Sequence, residues 1–89
     1  MGSRDQEKGI TAARASEIMG DGTVSRDEIM YVVQHVEGSG ARNILAFAYS
    51  KAYKALHGKD PAPSDYSEDE AEMRMRAYEL ARKLPQKAA

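Results

Sequence analysis

The chain reads as an all-α protein, a small bundle of three to four helices. Three observations carry that reading. Apolar residues recur at helical spacing in three separate stretches, glycine or proline closes each stretch, and no segment shows the strict alternation of a half-buried strand. The 89 residues suffice for one domain, expected over 10–85, with polar segments at 1–9 and 86–89 on either side of it. At this size about 60–65% of the surface of the unfolded chain is buried on folding, so the core is thin.

The first helix is expected over about 11–19. Thr11 can cap it, Ala12, Ala13 and Ala15 favour it, and Gly20-Asp21-Gly22 ends it. The second, over about 26–37, opens with a capping box in which Ser25 is followed three residues later by Glu28. Ile29, Val32, Val33 and Val36 then fall on one face, and Glu37-Gly38-Ser39-Gly40 closes the helix.

The third helix is expected over about 41–57, with Ser39 as its cap and Gly58 as its stop. Its apolar stripe is Ile44, Leu45, Ala48, Ala52, Ala55 and Leu56. A connection containing Pro61 and Pro63 follows. The last helix is expected over about 67–84, opened by a second capping box (Ser67 with Glu70) and stopped by Pro85. It carries two stripes at the same spacing. Met73, Ala77, Leu80 and Leu84 form the one assigned to the core, and Ala71, Met75, Tyr78 and Arg82 form the other. The expected core is therefore Ile29, Val32, Val33, Val36, Ile44, Leu45, Ala48, Ala52, Leu56, Leu80 and Leu84.

Composition narrows the function. With no cysteine there is no disulfide framework and no thiolate chemistry, which suits a cytoplasmic protein. No apolar run reaches the roughly 20 residues a membrane helix needs. The net charge of −1 argues against a dedicated nucleic-acid binder, which is usually clearly basic. Beneath that total the charges lie in blocks. Arg42, Lys51, Lys54 and Lys59 stand without an acid among them, and Asp65, Glu68, Asp69, Glu70 and Glu72 without a base. A basic block closes the chain, so pairing can occur within the fold or between copies in a homo-oligomer.

The segment Asp21-Gly22-Thr23-Val24-Ser25-Arg26-Asp27-Glu28 resembles the second half of an EF-hand calcium loop. Gly22, Val24 and Glu28 occupy the sharp-turn, aliphatic and bidentate-glutamate positions in register. The resemblance, which runs over Glu17 to Glu28, implies Asp21, Thr23, Ser25 and Glu28 as ligands of Ca2+. The first half departs from the family, with Glu17 where its first Asp belongs and the thioether of Met19 where an oxygen ligand belongs. The loop is also unpaired. A turn followed by a helix cap accounts for the same residues, and that reading is preferred.

No nucleophile–base pair, phosphate loop or zinc spacing is present in the sequence, so an enzyme is not expected. The expected function is a non-enzymatic module that binds another protein through helix surfaces, as an adaptor, inhibitor or regulatory subunit. Its contact residues would be Phe47, Lys51 and Lys54 on the third helix and Met75, Tyr78 and Arg82 on the last. For Phe47 the competing reading is burial under the first helix or the proline-containing connection. The alternatives are the degenerate calcium-binding module and, behind it, an accessory nucleic-acid-binding protein using the same aromatic–basic patch.

Overall fold

The structure, a computed structural model, describes residues 9–20 and 25–85. Four α-helices occupy them: α1 (Ala12–Met19), α2 (Arg26–His35), α3 (Ala41–His57) and α4 (Glu70–Ala81). A 3₁₀ turn, Pro63–Asp65, lies between α3 and α4. The all-α bundle read from the sequence is the fold. No helix among the described residues is long and apolar enough to cross a membrane.

α1 starts where the sequence places it, with the Thr11 side chain accepting a hydrogen bond from the Arg14 amide at 3.1 Å. Its inward face is small, with Ala15 and Met19 completely buried. Ile10, just before it, forms an isolated parallel bridge with Val36. The Ile10 amide donates to the His35 carbonyl and the Glu37 amide donates to the Ile10 carbonyl, both at 2.9 Å. This bridge shortens α2. Val36 is extended (ψ 136°) to meet Ile10, so the helix ends at His35 and not at the expected 37.

At its other end α2 carries the expected capping box. The Glu28 amide donates to Ser25 Oγ at 3.2 Å, and the Ser25 amide donates to Glu28 Oε1 at 3.0 Å. Ile29, Val32, Val33 and Val36 are all buried.

α3 has the expected bounds but a different start. Its N-cap is Gly40, in the left-handed region at φ 85° and with no side-chain cap, so Ser39 does not serve. Glycine is favoured there by its φ and by the space around it. An L-residue is strained at that φ, and an added Cβ would stand 3.1 Å from the Ala12 Cβ. Gly58, at φ 76°, closes the helix by donating to the Lys54 carbonyl at 2.8 Å.

α4 is shorter than expected. Asp69 is its N-cap, and the predicted Ser67–Glu70 box does not form. Ser67 Oγ instead accepts from the Asp69 amide at 3.1 Å and donates to Glu72 at 3.3 Å, holding a turn ahead of the helix. Beyond Ala81 the chain continues as a turn that still buries Leu84.

α3 and α4 make the most extensive interface of the bundle, and both bury alanines there or nearby: Ala48 and Ala52 on α3, Ala77 and Ala81 on α4. Small side chains let the two axes approach closely. The core is therefore built more from alanine and methionine than the sequence suggests. Ala15, Met19, Ala41, Met73, Ala77 and Ala81 belong to it, whereas Ile44, Leu56 and Leu80 are only partly buried around it. In α4 the buried row is Met73, Ala77 and Ala81, continued by Leu84 in the turn beyond, which sets Leu80 at the edge.

Met73→Ala is expected to destabilise the protein by about 2–4 kcal/mol, the cost of emptying a fully buried site. Leu80→Ala should cost less, which urea unfolding of the two variants will check; the reverse order would mean that α4 is rotated from this setting.

Candidate functional site

The described surface offers two faces of the kind expected, one on α3 and one on α4. On α3, Phe47 stands 39% exposed, against the usual preference of so apolar a ring for the interior. Lys51, one turn on and partly buried, places its ammonium 5.2 Å from the ring centroid in a cation–π contact. Beside Phe47 runs an open groove of about 520 Å³. Arg42, Ala46 and Phe47 line it from α3, and Pro61, Pro63 and Tyr66 line it from the connection.

The far wall is well fixed. The Tyr66 ring packs edge-on against Tyr49, with centroids 5.7 Å apart. Asp65 holds the 3₁₀ turn by accepting from the Ala62 amide at 3.1 Å, and its own carbonyl accepts from Arg76 at 2.6 Å. Burial, then the nearby Asp65 carboxylate, push the Tyr49 hydroxyl above its ordinary pKa, so this ring stays neutral. At the end of the groove Arg42 Nε donates to the Ser67 carbonyl at 2.8 Å, tying α3 to the segment before α4. Lys54 is exposed further along α3 and does not line the groove.

The second face follows the outer stripe of α4. Met75 is 62% exposed, Tyr78 is partly buried, and Arg82 is exposed with its guanidinium 3.3 Å from the Glu79 carboxylate. Met75 and Tyr78 edge a smaller groove of about 230 Å³, shared with Ala71 and Arg74 of α4 and with Val33 and Gln34 of α2. Its cationic member is already committed. Arg74 donates to the Val33 carbonyl at 2.6 Å and to the Val36 carbonyl at 2.8 Å, and pairs with Glu70 at 3.0 Å. What remains on offer there is largely apolar.

The structure thus brings Phe47 and Lys51 together, and separately Met75 and Tyr78. Sequence reasoning missed the opposite walls: Pro61, Pro63 and Tyr66 for one groove, Val33 and Gln34 for the other. Val33 had a clear signal as a core residue, and it is one; its edge also reaches the groove. The proline connection stands in the sequence only as a possible cover for Phe47, and the structure sets it beside that ring as a groove wall.

Of the residues suggested as calcium ligands, Asp21 and Thr23 lie outside the described residues. Ser25 and Glu28 are engaged with each other in the capping box of α2, which is the work the turn-and-cap reading assigns to them. Among the described residues no three histidine, cysteine or acidic side chains gather as a metal site. The histidines instead pack at a tilt against tyrosines one turn away, Tyr31 with His35 at 4.7 Å and Tyr53 with His57 at 4.4 Å between centroids.

No protein-family model, no curated protein and no solved structure matches this chain.

Millimolar calcium is expected to leave the melting temperature unchanged relative to chelator, since a cap needs no ion. A rise of several degrees that Glu28→Gln abolishes would instead establish the loop as a calcium site, because a ligand that binds only the folded state stabilises it.

Proposed function

We propose that the chain is a small non-enzymatic protein-binding module, an adaptor, inhibitor or regulatory subunit, that docks through exposed helix faces. The observation that carries this reading is the Phe47 groove. It combines an exposed aromatic anchor with a fixed wall of two prolines and a tyrosine, and Lys51, outside the groove, holds a cation over the anchor ring. Aromatic side chains set beside a pocket are the usual source of binding energy at protein interfaces. A partner segment with an apolar or aromatic side chain would fill the groove, and an acidic residue on it would meet Lys51 or Lys54.

A protein suits this face better than a nucleic acid. The Arg42 guanidinium is engaged with the Ser67 carbonyl and with Asn43, which leaves Lys51 and Lys54 as the cations nearest Phe47. Two lysines in a chain of net charge −1 form a weak phosphate track. The lack of cysteine suits action in the cytoplasm.

The test is capture of native-host proteins by a photo-crosslinking residue placed at Ser50, beside the groove, with and without Phe47→Ala and Lys51→Glu. A discrete protein adduct is expected, reduced about tenfold or more by Phe47→Ala, the size of a hot-spot truncation. Circular dichroism should show the helices unchanged. An adduct indifferent to both substitutions would remove Phe47 from the interface. A tight, salt-sensitive gel shift with nucleic acid, lost in Lys51→Glu with Lys54→Glu, would replace the protein reading.

A further inference from the structure

The outer stripe of α4 has a spacing and a charge order that suit a second copy of the same helix. Ala71, Met75, Tyr78 and Arg82 recur at intervals of four, three and four residues, the alternation of a two-stranded seam. Met75 is the most exposed large hydrophobic side chain among the described residues, and Tyr78 lies one turn beyond it. The groove beside them, about 230 Å³, is open to solvent and takes its apolar lining from Val33, Ala71, Met75 and Tyr78.

The charges decide the occupant. The N-terminal end of α4 exposes Glu68, Asp69, Glu70 and Glu72, and the C-terminal end exposes Arg82 and Lys83. Glu70, Glu72 and Arg82 also pair within the chain, with Arg74, Arg76 and Glu79, so Glu68, Asp69 and Lys83 carry most of the complementarity. A second α4 laid antiparallel, about a two-fold axis between Met75 and Tyr78, puts each acidic end over the other copy's basic end. The match occurs twice by symmetry, as an isologous interface requires. A parallel arrangement would set like charge against like at both ends.

We infer that α4 is a self-association surface, on which two copies of the chain pair antiparallel with Met75 of each packed against Tyr78 of the other. The flexible thioether fills the groove of the facing copy and contacts its aromatic ring. Glu68 and Glu72 lie toward Arg82 and Lys83 of the facing copy and steer the antiparallel register. The seam covers little more than three helical turns, below the roughly 1,200 Å² of a standard interface, so the dimer is weak and reversible. This inference goes beyond the Phe47 reading and does not depend on it, because that groove lies on α3.

Sedimentation equilibrium of the full chain, from about 10 μM to 1 mM, tests it, the range being that of weak interfaces. Reversible association to a dimer is expected, weakened at least tenfold by Met75→Lys. Two charge-reversed chains give the decisive comparison. One carries Glu68→Lys with Glu72→Lys, and the other carries Arg82→Glu with Lys83→Glu. Each alone should associate less than the wild type, and their equimolar mixture should regain a dimer. Circular dichroism of each variant confirms that it is folded, and Phe47→Ala should leave the dimer constant unchanged. A monomer at every concentration overturns the inference and leaves the stripe to a different protein. A dimer indifferent to Met75→Lys, or a mixture no better than its components, overturns the proposed seam.

Discussion

Arg74 bonds to two carbonyl oxygens at the end of α2, and the arrangement of the bundle depends on that contact. A helix leaves its last carbonyls without intrahelical partners, and the partial negative charge there favours a cation. Here the Val33 and Val36 carbonyls accept from Arg74, while the His35 carbonyl accepts from the Ile10 amide. One end of α2 is thus the junction where the lead-in to α1 and the middle of α4 meet. Because Arg74 reaches α2, Met73 and Ala77 turn into the core and Met75 turns outward. The exposed stripe follows from how this partly buried arginine contact sets the rotation of α4.

Other arginines fix the remaining edges by the same chemistry. Arg42 binds the Ser67 carbonyl, and Arg76 binds the Asp65 carbonyl, so the segment just before α4 is held by guanidinium groups from both α3 and α4. Arg76 also pairs with Glu72 at 2.8 Å, and its hydrogen bond and charge hold that carboxyl below its ordinary pKa. Glu72 is exposed, and such a pair contributes little to stability. The blocks of charge seen in the sequence are therefore partly answered inside the fold, by the Glu70–Arg74 and Glu72–Arg76 pairs one turn apart. Lys54, Glu68, Asp69 and Lys83 are exposed charges outside these pairs, and Lys51 is partly exposed.

The helices were legible because local chemistry specifies them. The Ser25–Glu28 box, the Ile29–Val36 periodicity and Gly58 each act within a few residues and act as expected. What was not legible depends on residues far apart in the chain. The Ile10–Val36 bridge ends α2 two residues early, and the turn held by Ser67 delays α4. Alanine gives a weak signal of burial, so Ala15, Ala41 and Ala81 were missed although each is fully enclosed. For the contact faces, Phe47, Lys51, Met75 and Tyr78 could be named from helical spacing. Their opposite walls, Pro61, Pro63 and Tyr66 or Val33 and Gln34, could not, since only tertiary packing brings them there.

Unfolding of Arg74→Met in urea tests the dependence on this contact most directly, since methionine keeps most of the aliphatic stem and removes every hydrogen bond. The Arg74 side chain is 31% exposed, so part of the charge-assisted bonding is screened by solvent, and a loss of about 1–3 kcal/mol is expected. An unfolding midpoint equal to that of the wild type would show that α4 finds its place without Arg74, and the account of how its outer stripe is set would be wrong.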